Sequence, residues 1–131
     1  MKKLTTLSDA ITKNIGDGDM VYAAGFTHMI PFAAGHEIIR QGITDLTLAR
    51  ATPDLIYDQI IAAGLARKVI FSYMGNPGVG SLRAARAAIQ NGTIEWEEYS
   101  HFSMITRLQA GASGRRIRQG SARSAMRCRG A

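Results

Sequence analysis

The chain has 131 residues, enough for one domain with a buried core, and its 46% hydrophobic and 20% charged residues belong to a folded globular protein rather than a disordered one. No apolar run approaches the ~20 residues of a membrane-spanning helix, and Met1-Lys2-Lys3 leads into polar Thr5, Thr6, Ser8 and Asp9 instead of a signal-peptide core, which points to a cytoplasmic protein. The net charge of +6 is confined to the end of the chain: residues 1–114 carry ten Lys and Arg against ten Asp and Glu, and the excess is Arg115, Arg116, Arg118, Arg123, Arg127 and Arg129, so the body offers no basic face to nucleic acid.

Leu4, Leu7, Ile11 and Ile15 recur every three or four residues and predict an amphipathic helix, with Thr6 or Ser8 as its cap and Gly16 as its stop. The acidic turn Gly16-Asp17-Gly18-Asp19 lacks the closing Glu of a calcium loop and is expected to be a plain turn. Met20 to Ala24 is a short apolar run, which reads as a strand covered on both faces. Gly25 ends it, and Pro31 opens a helix through Phe32, Ala33, His36 and Ile39 that stops at Gly42. Leu46 to Ala49 predicts a second strand. Thr52-Pro53-Asp54 then predicts a helix start, with Thr52 as cap and Pro53 in the first position, and the helix runs through Leu55, Ile56, Ile60 and Ile61 to Gly64. A third strand, Val69 to Tyr73, opens into Gly75-Asn76-Pro77-Gly78-Val79-Gly80-Ser81 and a helix with Leu82, Ala85 and Ile89. Ile94 to Tyr99 predicts a fourth strand and His101 to Ala110 a last helix. Strands alternating with helices predict an α/β fold, an open and mainly parallel sheet with flanking helices.

Three stretches carry candidate chemistry. The loop at Gly25, Phe26, Thr27 and His28 sits where open α/β sheets bind ligands, although Gly25 as a simple turn and Phe26 as a core plug explain it equally well. The turn from Gly75 to Ser81 could offer amides to an anion, but it has neither the Gly-Lys-Ser/Thr of a nucleotide phosphate loop nor the order of a dinucleotide fingerprint. Glu98 shares a strand face with Ile94 and Trp96, so a semi-buried carboxylate with a raised pKa is expected there, while Glu95 and Glu97 make a solvated edge. His28, His36 and His101 have no metal-ligand spacing, and Cys128, the single cysteine, excludes an internal disulfide.

Residues 16–46 also carry a resemblance. Gly18-Asp19, the strand Met20 to Ala23, the turn Ala24-Gly25-Phe26, Pro31, and the run Ile38-Ile39-Arg40-Gln41-Gly42-Ile43-Thr44-Asp45-Leu46 resemble the A (alpha) subunit of family I coenzyme A transferases, in the glutaconate CoA-transferase branch. The likeness continues through Gly75 to Gly80 and Glu97-Glu98-Tyr99-Ser100 to about Gly114; Ala24, where many members have glycine, is a mild departure. The resemblance implies a subunit that lines an acyl-CoA cleft with Gly25, Phe26, Thr27, Asn76 and Gly78, with coenzyme A as substrate rather than cofactor. It also implies a B subunit that supplies the catalytic glutamate from a Glu-Asn-Gly motif, which does not occur here, so this chain holds no catalytic residue of its own. The rivals are a CoA-ester hydrolase of the same superfamily, in which Glu98 activates water, a nucleotide- or RNA-binding module, and an inactive fragment.

After Gly114 the resemblance implies a Leu-Pro-Phe continuation, yet residues 115–131 are rich in Arg, Gly, Ser and Ala and have no hydrophobic period. Such a composition is what a GC-rich gene gives when read out of frame, so the expectation is an α/β unit over 1–114 and a basic, disordered, frameshifted tail over 115–131, with a basic extension for an acidic partner as the alternative. Sequencing the gene downstream decides between them, because only the first requires an out-of-frame Leu-Pro-Phe continuation.

Overall fold

The computed structural model describes residues 4–25 and 29–114. The elements follow in the order α1 (Leu7–Asn14), β1 (Met20–Val21), α2 (Phe32–Gln41), β2 (Leu46–Ala49), α3 (Leu55–Ala62), β3 (Ala66–Phe71), α4 (Arg83–Gln90), β4 (Glu95–Glu98) and α5 (His101–Ala112). The four strands form one parallel sheet in the order β1-β2-β3-β4, as the alternation of strands and helices predicts.

Local chemistry fixes the ends of the elements. Thr6 caps α1, its hydroxyl accepting from the Asp9 amide at 3.1 Å, so the helix starts after Leu4, which is exposed. Gly42 ends α2 in the left-handed conformation, φ +67, which glycine adopts without a steric penalty. The cap of α3 is Asp54 rather than Thr52: its carboxylate accepts from the Leu55 amide at 2.6 Å, and Pro53 precedes the helix instead of opening it. The acidic turn is structural, since Asp17 accepts from the Thr44 amide and hydroxyl and Asp19 from the Gly16 amide.

The register assigns the faces. Val21, Leu48, Val69 and Trp96 lie side by side across the sheet. Leu48 and Val69 are fully buried together with Ile38, Ile56 and Ile60 of the helices, so this face carries the core. The helices pack in sequence, α1 on α2, α2 on α3 and α3 on α4. The α2–α3 contact is close because Gly35 has no side chain: a Cβ there would lie 2.1 Å from Cγ1 of Ile56. Two expectations fail at the sheet edges. Met20 is 65% exposed because, among the described residues, β1 is an edge strand of the sheet, not a strand covered on both faces. Trp96 and Glu98 point to the core face, as the alternation requires, but both are exposed, because that face is not fully covered at β4. β3 also begins and ends earlier than Val69 to Tyr73, its last residues forming loop instead.

An apolar cavity of about 210 Å³ remains between β1 and the helices, lined by Ile15, Val21, Ala34, Leu48, Ile56 and Tyr57 among others. Among the described residues no helix is long and apolar enough to cross a membrane.

Candidate functional site

A parallel sheet delivers every strand's carboxyl end to one edge, and the segments singled out in the sequence meet there. Gly25 follows β1, Arg50 to Asp54 follow β2, the loop from Ser72 to Ser81 follows β3, and Tyr99 to His101 follow β4. Phe26, Thr27 and His28 lie outside the described residues.

The Gly25 loop is tied down from below. The Ala23 amide donates to the Tyr57 hydroxyl at 2.9 Å, and that hydroxyl donates to the Ala49 carbonyl at 2.9 Å, which bridges the ends of β1 and β2. Burial pushes the Tyr57 phenol up to about 12, so it stays a neutral donor and acceptor throughout the physiological range. Tyr57→Phe removes this partner from the Ala23 amide and is expected to cost about 1–3 kcal/mol, read as a lower urea midpoint at unchanged slope. Gly25 has φ +152, and a Cβ on it would stand 2.2 Å from the Met29 carbonyl oxygen, a position only glycine tolerates. Its carbonyl accepts from Nη2 of Arg50 at 2.5 Å.

The second loop closes on itself. Oδ1 of Asn76 accepts from the Gly78 amide at 2.8 Å and the Val79 amide at 3.1 Å, and the Asn76 and Gly80 backbones are bonded in both directions. Nδ2 of Asn76 donates to Asp54 at 2.8 Å, so the loop after β3 is fastened to the cap of α3 after β2. Asn76 is thus the keystone of its loop. The amides of Gly78 and Val79, which the sequence suggests for an anion, are already taken by its side chain. What the loop presents outward is its tip, with Pro77, Gly78 and Val79 exposed.

At the β4 end, Lys68 Nζ meets Glu97 at 2.6 Å, the Tyr99 hydroxyl donates to the same carboxylate, and the Arg107 guanidinium lies 4.0 Å over the Tyr99 ring. The Lys68 hydrogen bond, and then that of Tyr99, hold Glu97 below its ordinary value of 4.5. A carboxylate depressed in the folded state adds stability above its unfolded value and loses it as the pH falls through the folded one. Lys68→Met is therefore expected to lower stability modestly above about pH 4.5, where Glu97 is ionised, and to leave the acid range nearly unchanged, so that the dependence on pH flattens, as denaturant midpoints across that range will show. Glu98, expected to be the semi-buried carboxylate, is exposed; the engaged one is Glu97. His101 contacts the Thr52 hydroxyl at 3.0 Å and His36 contacts Gln59 at 2.8 Å, and among the described residues no three metal-ligating side chains cluster.

Arg50, Asp54 and Tyr57 carry no motif that marks them as site residues in the sequence. Arg50 was the legible one: a charge placed directly after the wholly buried strand Leu46–Ala49 is costly unless it is used.

The family model for coenzyme A transferase matches residues 4–117 of this chain. The chain belongs to that family. It is similar to the A-chain component of the 3-oxoadipate CoA-transferase of Pseudomonas knackmussii, with 53% identity over 117 residues covering 87% of this chain and 42% of the relative. It is also similar to the corresponding component of the glutaconate CoA-transferase of Acidaminococcus fermentans, with 37% identity over 116 residues covering 87% and 36%. The crystal structure of the glutaconate enzyme superposes with a TM-score of 0.82 at 33% identity, over 94% of this chain and 41% of that one. A variant of the decarboxylase AibA/AibB superposes with a TM-score of 0.75 at 25% identity, over 85% and 44%. The chain thus spans about two fifths of the length of the curated relatives it matches.

Proposed function

We propose that this chain is the A subunit of a CoA-transferase that moves coenzyme A between an acyl-CoA and a dicarboxylic acid, in company with a B subunit. The observation that carries the reading is the carboxyl edge of the sheet. There Gly25 is held in a conformation closed to other residues, beside a fastened loop whose tip at Gly78 is exposed. The two relatives act, by their names, on 3-oxoadipate and glutaconate, both dicarboxylates.

In this reading Gly25, Phe26 and Thr27 border the thioester, and Asn76 shapes the wall that Gly78 presents. A glutamate of the partner attacks the thioester carbonyl. Its carbonyl oxygen becomes an oxyanion that the amides of the Gly25 loop stabilise, and coenzyme A leaves as thiolate from an acyl-glutamyl anhydride. The thiolate then attacks the glutamyl carbonyl of the anhydride, which releases the acyl group as a carboxylate and leaves an enzyme-CoA thioester for the acceptor acid. Asp54 is occupied by Leu55 and Asn76, and Glu98 stands exposed at the end of β4, so the nucleophile is sought in the partner. The fold by itself does not select the reaction, since a decarboxylase shares it; the sequence likeness favours transfer.

The test is transfer from acetyl-CoA to a panel of acids by this chain coexpressed with the product of the adjacent reading frame. The reading expects turnover with 3-oxoadipate or glutaconate above that with monocarboxylates, and Glu98→Gln within about twofold of the parent. Hydrolysis without transfer, abolished by Glu98→Gln, would replace it with the hydrolase reading.

A further inference from the structure

The body of the chain is electrically neutral, but its charges are unevenly placed. From Ser72 to Ile94, which covers the loop after β3, the whole of α4 and the turn into β4, there is no Asp or Glu, and the cations are Arg83 and Arg86. Both are exposed, and among the described residues neither side chain has an ion pair or a hydrogen bond. Arg40, Arg67 and Lys68, by contrast, each face a carboxylate. Arg83 and Arg86 stand in the first turn of α4, where the helix dipole disfavours cations, and α4 carries no acid to offset them. Asp58 reaches this end of the helix from α3, but its carboxylate accepts from the Ala85 amide at 2.8 Å. The helix end is thereby served, and what stays unmatched is the two guanidinium groups.

Residues three apart lie on one face of a helix, with Cβ atoms about 5–6 Å apart, so two guanidinium forks can close on neighbouring phosphates. The first turn of α4 follows the loop whose tip, Pro77, Gly78 and Val79, is exposed, and it therefore lies at the carboxyl edge of the sheet. β3, which leads into it, is two strands from β1 and Gly25, about 10 Å at the spacing of neighbouring strands. Coenzyme A is a long molecule that carries its thiol at one end and a diphosphate and a 3′-phosphate at the other, so it can engage two separated points of one edge. We propose that Arg83 and Arg86 are the phosphate anchor for the nucleotide end of coenzyme A, an inference that rests on the transferase reading. They act on binding alone, through charge-assisted hydrogen bonds to phosphate oxygens, and take no part in the reaction at the thioester.

The experiment measures transfer by this chain in complex with the second subunit, from acetyl-CoA and from S-acetylpantetheine, which has the same thioester and no phosphate. Joint replacement, Arg83→Ala with Arg86→Ala, is expected to raise KM for acetyl-CoA about tenfold and to leave KM for S-acetylpantetheine within about twofold. Arg83→Lys with Arg86→Lys, which keeps both cations, is expected to recover most of that loss. The melting temperature is expected to stay where it is in both, because the replaced side chains are exposed and form no hydrogen bond. Calorimetric titration of adenosine 3′,5′-bisphosphate gives a readout without turnover: it is expected to bind the parent, less tightly as salt is added, and to bind the alanine variant at least about tenfold more weakly. An unchanged KM for acetyl-CoA in the alanine variant, or an equal rise for both thioesters, would overturn the proposal. If the parent complex transfers no coenzyme A, the transferase reading fails by itself, and the titration then decides on the anchor: no binding to the parent, or equal binding to parent and alanine variant, would sink it.

Discussion

Gly25→Ala is expected to reduce CoA transfer by at least about 100-fold while shifting the global unfolding midpoint far less than a core truncation does. The added Cβ would stand 2.2 Å from the Met29 carbonyl oxygen and 2.9 Å from Cα of Ile30. Those are backbone atoms, which cannot swing aside as the end of a side chain can, and the φ of +152 is unfavourable for alanine even in open space. The loop must therefore leave its place, and the Gly25 carbonyl must leave Arg50. The core is spared, because it lies below among Leu46, Leu48, Ile56 and Val69. Steady-state kinetics of the complex together with a melting curve separate the two effects. Full activity in Gly25→Ala would show that the loop has no part in the chemistry.

Leu48→Ala is expected to produce the largest loss of stability, about 3–5 kcal/mol. Leu48 is fully buried at the centre of the sheet, between Val21 and Val69 on the same face, and it lines the 210 Å³ cavity. Truncation there joins new empty volume to an existing void, so the walls have little to collapse onto and the cost falls in the upper part of the range for such changes. Against a total of about 5–15 kcal/mol for a typical domain, that is enough to leave a substantial unfolded fraction on mild heating. Ala34→Val provides the opposite arm: it adds volume from the α2 side of the same cavity and is expected to be neutral or slightly stabilising. Urea midpoints check both, and a loss below about 1 kcal/mol for Leu48→Ala would mean that the side chain does not sit between a packed sheet face and a void.

Much of the fold is legible in the residues because its signals are local. Gly42 after an amphipathic run ends α2, and the apolar run Leu46–Ala49 between turns makes β2. What was not legible depends on neighbours that a single chain segment does not specify. The alternation of Ile94, Trp96 and Glu98 gives their face, but nothing in that strand tells that the core face is open at β4, so Glu98 was expected to be half-buried and is exposed. Asn76 reads in the sequence as a ligand neighbour; only its contacts in space show that both ends of its amide are engaged, by Asp54 and by Gly78 and Val79. Asp54 and Thr52 are both good caps for α3 in the sequence, and the structure decides for Asp54, whose carboxylate accepts from the Leu55 amide at the start of the helix. Arg50 is a case where sequence position suffices once the cost of burying a charge is taken seriously, since it follows directly on a wholly buried strand.

The central claim is a division of labour, in which this chain shapes the cleft and its partner carries the nucleophile. The most direct measurement is the intact mass of both chains after the coexpressed complex is exposed to acyl-CoA without an acceptor acid and then denatured. The account predicts a covalent coenzyme A adduct on the partner and an unmodified mass for this chain. An adduct on this chain, or rapid transfer with no adduct on either, would contradict it.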